Sequence, residues 1–298
     1  MFAFPIGVML DSFRLPTDAA LDAAKALGAS GIQMYAVAGD HTPDALTPEK
    51  RRELLKKVQA RGLVFSALCG DLGQGFGNRE KNPALIEKSK RILDLAQDLG
   101  TDVVTTHIGV VPSDPANERY KIMSEACFTL SQYADSLGAH FAIETGPETS
   151  ATLKRFLDQL GSTGVGVNLD PANLVMVTGD DPVEAVHNLR RYIVHTHAKD
   201  GNMLQKSNPE QIYGVTPMPE DMKNIPFFEE VPLGTGSVDF PAYLRALEEI
   251  GYKGYLTVER EVGDNPAADI GAAVANVRQQ YAIGANGQEC KRGAHCGL

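Results

Sequence analysis

Four residues in the second half of the chain, Glu144, Asp170, His197 and Glu259, each stand at the end of a short β-rich run: HFAIE, GVNLD, VHTH and LTVE. Three carboxylates and one imidazole form a donor set that suits Mn²⁺, Mg²⁺, Co²⁺ or Zn²⁺ and leaves positions open for water or substrate oxygens. Gathered in one concave site without a cation, three ionised carboxylates repel one another, and only a metal or shifted pKa values relieve them. Taken singly, each acid reads as a solvated loop residue or salt-bridge partner, and Asp170 before Pro171 reads as the start of a turn. Their recurrence at the ends of four consecutive strand candidates is what points to one shared site.

The elements that must position them alternate along the chain. Short apolar runs at Pro5–Leu10, Gly31–Val37, Val64–Leu68, Val103–Ile108, His140–Thr145, Gly164–Leu169, Tyr192–Ala198 and Tyr255–Arg260 predict strands. Stretches of helical period at Thr17–Leu27, Thr47–Ala60, Pro83–Leu99, Asn117–Leu137, Thr149–Leu160, Pro182–Leu189, Val238–Ile250 and Asn265–Tyr281 predict the helices between them. Helix ends carry Leu27-Gly28, Leu99-Gly100, Leu160-Gly161 and similar pairs, where Gly accepts the left-handed cap, and Thr47-Pro48 reads as an N-cap followed by Pro in the first turn. Strand–helix alternation implies parallel βαβ units. Eight of them in residues 1–283, with no GxGxxG turn after the first strand, predict an α/β fold, a single-domain (β/α)8 TIM barrel rather than a doubly wound sheet.

Barrel sites lie at the carboxyl ends of the strands, so polar residues just beyond those ends are the candidates for substrate contact: His107, Glu148, Asn173 and Lys199. His195 and His197 share a parity along their strand and face the interior together, which leaves His195 open as a buried core histidine or a support for the metal site. The connection at 199–237 is long and proline-rich and reads as a lid or binding loop on the same face. Residues 284–298, with Cys290, His295 and Cys296, read as a flexible tail, with metal binding by that trio as the alternative.

Among 298 residues, Lys and Arg number 28 against 38 Asp and Glu, a net charge of −10 that argues against nucleic acid or an anionic membrane as a partner. The N-terminus has no positive leader and reads as the first strand, and no apolar stretch attains the roughly 18 residues of a membrane span. Four scattered cysteines make no disulfide framework, so a reducing cytoplasm is expected.

The motifs AIETGPE, VNLDPAN, VHTHAKD and TVERE closely resemble those of the sugar phosphate isomerase/epimerase family, the xylose isomerase-like barrels, over about residues 5–283. That resemblance implies a divalent metal, manganese foremost, held by Glu144, Asp170, His197 and Glu259. It also implies that Glu144 and Glu259 act as acid and base on opposite faces of a sugar, as in the ketose 3-epimerase branch. The AP endonuclease branch places a histidine where Cys69 stands and another where Asn173 stands, so both residues, with the acidic charge, argue against DNA repair. Asn173 and the lack of an arginine soon after Lys199-Asp200 also depart from several epimerases.

The leading expectation is a metal-dependent isomerase or epimerase of a polyhydroxy carbonyl compound, working through an enediolate. A lyase or dehydratase of a keto-polyol on the same site, with His107 or a residue of the 199–237 loop as acid, is the alternative, and a noncatalytic sugar-binding barrel the third. Whether the substrate is phosphorylated, and whether the chain forms a homo-oligomer, stay open.

Overall fold

The computed structural model describes residues 4–293, with side chains as far as Gln280. Among them the chain forms ten strands: β1 (Ile6–Met9), β2 (Gly31–Tyr35), β3 (Val64–Cys69), β4 (Val103–Thr106), β5 (His140–Glu144), β6 (Val165–Leu169), β7 (Ile193–Ala198), β8 (Asp200–Met203), β9 (Phe228–Val231) and β10 (Leu256–Val258). Eight close into a parallel barrel in the order β1 to β7 and then β10, which pairs back onto β1. This is the barrel that the alternation predicts, each strand lying within a residue of its expected segment.

Helices Thr17–Ala26, Pro48–Gln59, Asn82–Leu99, Glu118–Ser136, Ser150–Leu160, Pro182–Leu189 and Phe240–Glu249 return the chain between barrel strands. The helix Ser150–Leu160 shows why they form: Leu153, Phe156, Leu157 and Leu160 fall on one helical face and are buried against the barrel, each worth about 1.5–3 kcal/mol relative to exposure. The Thr47 side chain caps the helix Pro48–Gln59 by accepting from the Lys50 amide. Gly100 ends the helix Asn82–Leu99 at φ 79°, a conformation that penalises any side chain. The last helix runs Pro266–Gly293, past Tyr281 where the sequence places its end. His295 and Cys296 lie outside the described residues, and Cys290 outside the described side chains. Among the described residues no helix is long and apolar enough to cross a membrane.

The barrel interior is layered. At the amino-terminal end a small apolar cluster, Ala67, Val103 and Ala142 with Val194 against it, fills the bore. Further toward the carboxyl ends the lining turns polar yet stays buried: Gln33 on β2, Thr105 on β4, Asn168 on β6, His195 on β7 and Thr257 on β10. One more step brings Glu144, Asp170, His197 and Glu259. Two register shifts, between Ile32 and Gln33 against β3 and between Val167 and Asn168 against β7, fall beside the two amides of the polar layer. Such irregularities re-aim side chains next to barrel sites.

The long connection is more ordered than its composition suggests. β8 and β9 pair as an antiparallel ribbon, Asp200 opposite Val231 and Met203 opposite Phe228, over the carboxyl-terminal mouth. The Asp200 carboxylate, buried, accepts from the backbone N–H groups of Gly201, Gly234, Gly236 and Val238 at 2.9–3.1 Å. One side chain thereby fastens both ends of the connection to the barrel.

Candidate metal centre

Each of the four candidate ligands sits at or just past the carboxyl end of its strand, on β5, β6, β7 and β10. All are buried, and one ligand atom from each lies within 4.8 Å of all the others. His197 Nδ1 is the meeting point, 3.3 Å from Asp170 Oδ2, 3.3 Å from Glu259 Oε2 and 3.6 Å from Glu144 Oε1. The other ring nitrogen, Nε2, lies 2.9 Å from Gln33 Oε1. The Gln33 amide is held in that orientation because its Nε2 donates to Thr105 Oγ1 at 2.9 Å. Asn168 Nδ2 also approaches this Nε2, at 3.2 Å, so Gln33 and Asn168 together hold the ring with Nδ1 turned to the carboxylates.

His195 settles below this layer. Its Nδ1 donates to Asn168 Oδ1 at 2.9 Å and its Nε2 accepts from the Thr257 hydroxyl at 2.9 Å. Both nitrogens are satisfied in one neutral tautomer, and burial pushes its pKa well below the ordinary histidine value. Because the Asn168 oxygen is taken by His195, its Nδ2 is directed upward and donates to Glu144 Oε2 at 3.1 Å. His195 is therefore a core histidine that also supports the site. Gln33, Asn168 and Thr257 belong to the same scaffold.

The electrostatics divide the carboxylates. Burial raises the pKa of Glu144, outweighing its histidine neighbours, and its other hydrogen bond is also from a neutral amide, Asn173 Nδ2 to Oε1 at 3.1 Å. Burial also opposes ionisation of Glu259 and Asp170, but Lys199 and His197 outweigh it and hold both below the usual carboxylate range. His197 is pulled the other way from its burial penalty by Glu259, Glu144 and Asp170, up to about 10. Without a cation its Nδ1 thus holds a proton among three carboxylates, and that proton is what a bound cation replaces. The buried donors, their convergence on Nδ1 and the surplus negative charge fit a divalent metal ion.

A cavity of about 510 Å³ opens above the cluster, with Tyr35, His107, Glu144, Lys199, Tyr213 and Glu259 in its walls. Of the expected substrate contacts, His107, Asn173 and Lys199 line it. His107 Nε2 is 3.5 Å from Glu144 Oε1, and its buried Nδ1 has no hydrogen-bond partner among the described residues. Lys199 is turned mainly to its own neighbours: Nζ lies 3.0 Å from Glu259 Oε2, 3.8 Å from Glu230 Oε2 and 4.0 Å from Asp170 Oδ2, and it bonds Glu261. Glu148 lies behind the wall, buried, accepting from the Val111 amide at 3.2 Å. Burial pushes its carboxyl up to about 8.

Glu230 joins the site without a sequence signal, and Arg260 lay in the run TVERE without its partner being evident. Arg260 Nη1 donates to Glu230 Oε1 at 2.7 Å, tying β9 to the residue after Glu259. Glu230 lies in a four-residue, partly exposed strand with no apolar alternation, so only the ribbon pairing reveals it. Glu261 was visible in the run TVERE, but its position beside Lys199 was not.

The xylose isomerase-like TIM barrel description matches residues 21–280. The chain belongs to that family. A solved xylose isomerase-like barrel, the xylose isomerase domain protein from Planctomyces limnophilus, is 26% identical, with a TM-score of 0.77 over 95% of this chain and 98% of its own. A D-tagatose 3-epimerase-like protein shares the fold with a TM-score of 0.74 at 17% identity, over 95% of this chain and 99% of that one. Among curated relatives, the inosose dehydratase of Clostridium beijerinckii is 24% identical over 150 residues, 48% of each chain. The chain spans less than two thirds of the length of the curated relatives it matches.

Proposed function

We propose that this protein is a divalent-metal-dependent isomerase or epimerase acting on a sugar or another polyhydroxy carbonyl compound. The observation that carries this reading is the placement of two buried carboxylates, Glu144 from β5 and Glu259 from β10, in the walls of one cavity while both belong to the four-donor cluster. Membership of a family that includes sugar epimerases and isomerases supports it.

A divalent ion held by Glu144, Asp170, His197 and Glu259, with Mn²⁺ the first choice, would supply Lewis-acid polarisation of a substrate carbonyl and its adjacent hydroxyl. Glu259, kept ionised beside Lys199, takes the proton from the hydroxyl-bearing carbon next to the carbonyl, giving the enediolate. Glu144, bonded by two amides, returns a proton to the neighbouring carbon or to the opposite face of the same carbon. Asp170 and His197 hold the cation, and Asn173 holds Glu144. His107, in the cavity wall beside Glu144, bonds a substrate hydroxyl.

A second reading uses the same first proton transfer and ends in loss of water from a keto-polyol. The inosose dehydratase relative and the position of His107 in the cavity wall beside Glu144 favour it.

Elemental analysis of protein reconstituted with Mn²⁺, followed by incubation with ketoses and keto-polyols in D₂O and mass analysis, tests both. One metal per chain with solvent deuterium in a product of otherwise unchanged mass supports the isomerase. Loss of one water supports the dehydratase. Failure to bind any of Mn²⁺, Mg²⁺, Co²⁺ and Zn²⁺ removes both.

A further inference from the structure

The connection over the mouth carries a short helix, Pro209–Ile212, and the residue that ends it, Tyr213, lines the metal cavity. We infer that Tyr213 is a specificity-determining residue: its hydroxyl bonds a substrate hydroxyl on the Glu144 side of the cavity, and the Arg119–Glu210 ion pair fixes the short helix that presents it. The inference rests on the proposed function for the nature of the ligand. It adds the residue that reads the polyol beyond its reacting carbons.

The surroundings of Tyr213 leave its hydroxyl to a ligand. Asn173 Nδ2 is engaged by Glu144 Oε1 at 3.1 Å, and His107 Nε2 lies 3.5 Å from the same oxygen. Met176 and Val177, against which Ile212 and Tyr213 pack, bring no hydrogen-bond donor to this part of the wall. The Tyr213 hydroxyl itself forms no hydrogen bond with the described residues. A phenol both donates and accepts, which suits it to a sugar hydroxyl. A site built to bond a substrate hydroxyl rejects an analogue lacking it far more strongly than an apolar wall does, so one phenol among these apolar side chains discriminates between polyols.

The position of the phenol is built from below and from outside. Gly146, two residues after Glu144, has φ 141°, and a Cβ there would stand 2.7 Å from Asn173 Cβ and 3.4 Å from the Tyr213 hydroxyl. Glycine thus lets the phenol close on the segment that follows β5. The Tyr213 ring lies against His107, with centroids 5.9 Å apart. From outside, Arg119, in the first turn of the helix Glu118–Ser136, pairs with Glu210 of the short helix, and both side chains are partly buried. Asn208 caps the short helix by accepting from the Glu210 amide at 3.0 Å, and the Val215 and Thr216 amides turn back onto the Glu210 carbonyl at 2.7 and 3.0 Å. The turn that carries Tyr213 is held by a charged pair on one side and by the His107 ring on the other.

The test titrates full-length protein calorimetrically, first with Mn²⁺ and then with D-fructose, D-sorbose and 2-keto-myo-inositol, in wild type, Tyr213→Phe, Arg119→Met and the double variant. Tyr213→Phe keeps the ring against His107 and removes only the hydroxyl. At least one probe should bind wild type saturably, and Tyr213→Phe should bind it about 3- to 10-fold more weakly, the loss of one neutral hydrogen bond. Mn²⁺ affinity should be the same in both proteins. Arg119→Met should weaken the same probe and add little to Tyr213→Phe, because it acts through the hydroxyl, whereas full additivity removes the ion pair from that role. Equal affinity of wild type and Tyr213→Phe for every probe that binds, or no probe binding to wild type, overturns the assignment of Tyr213. Where wild type holds Mn²⁺, that outcome leaves the metal chemistry standing. Where wild type does not hold Mn²⁺, the metal chemistry fails, and the same comparison made without metal still decides for or against Tyr213.

Discussion

Gln33 on β2 and His197 on β7, far apart in the chain, meet across the barrel bore at 2.9 Å, with the amide oxygen toward the imidazole Nε2. With Asn168 Nδ2 at 3.2 Å from the same nitrogen, this contact holds the ring so that Nδ1 faces the carboxylates. Gln33→Leu removes the acceptor and frees the ring to turn or change tautomer. Mn²⁺ affinity should fall about 10- to 100-fold, as is usual when the support of a ligating histidine is lost. The far-UV spectrum should stay unchanged. Calorimetric titration with Mn²⁺ checks it, and wild-type affinity would show that the contact does not orient the ligand.

Glu259→Gln and Glu144→Gln should each lower turnover by about 10²–10⁴-fold at saturating metal, the range for a lost general acid or base. The two variants should differ in isotope exchange. Glu259→Gln loses deuterium exchange at the substrate carbon, whereas Glu144→Gln keeps exchange and loses product. Near-wild-type turnover of either variant with metal retained removes that residue from proton transfer.

Lys199 is buried among Glu259, Glu261, Glu230 and Asp170. Lys199→Met leaves those acids facing each other, and breaking a buried pair in this way costs about 3–5 kcal/mol. The metal-free variant should unfold at a lower temperature than metal-free wild type, and Mn²⁺ should recover part of the difference. Adding Glu261→Gln should recover more. Identical unfolding temperatures for wild type and Lys199→Met without metal would show that the ammonium does not balance the cluster.

Glu148 gives a pH signature. Its folded value, about 8 through burial, lies above the ordinary 4.5, so the folded state favours the protonated form. The stability that results is full below pH 4.5 and is lost as pH rises towards 8. It amounts to at most about 5 kcal/mol at 1.36 kcal/mol per unit. Glu148→Gln lacks this titration. Urea unfolding at pH 5 and pH 8.5 should therefore show the variant gaining on wild type at the higher pH. A constant difference would mean that Glu148 ionises normally.

The barrel was legible because eight apolar runs repeat with helical stretches between them, and repetition outweighs the ambiguity of any one run. The candidate cluster was legible for a related reason: period-two alternation carries Glu144, Asp170, His197 and Glu259 to equivalent places on four strands. Gln33 and Asn168 were not. A single amide inside an apolar strand has no local pattern, and its partners are distant in sequence, so only barrel closure brings them into range. Glu148 shows the opposite limit. It follows a ligand strand by four residues, yet the turn buries it behind the cavity wall, a matter of backbone direction that spacing does not encode. The β8–β9 ribbon escaped because its strands are four residues each and separated by proline-rich chain.

The Asp200 carboxylate gathers backbone N–H groups from both ends of the connection over the mouth. The stretch between Met203 and Phe228 leaves from and returns to this anchored ribbon, and it carries Tyr213 into the cavity wall. Changes of length or composition there would reshape the mouth while the barrel strands that carry Glu144, Asp170, His197 and Glu259 keep their own pairing.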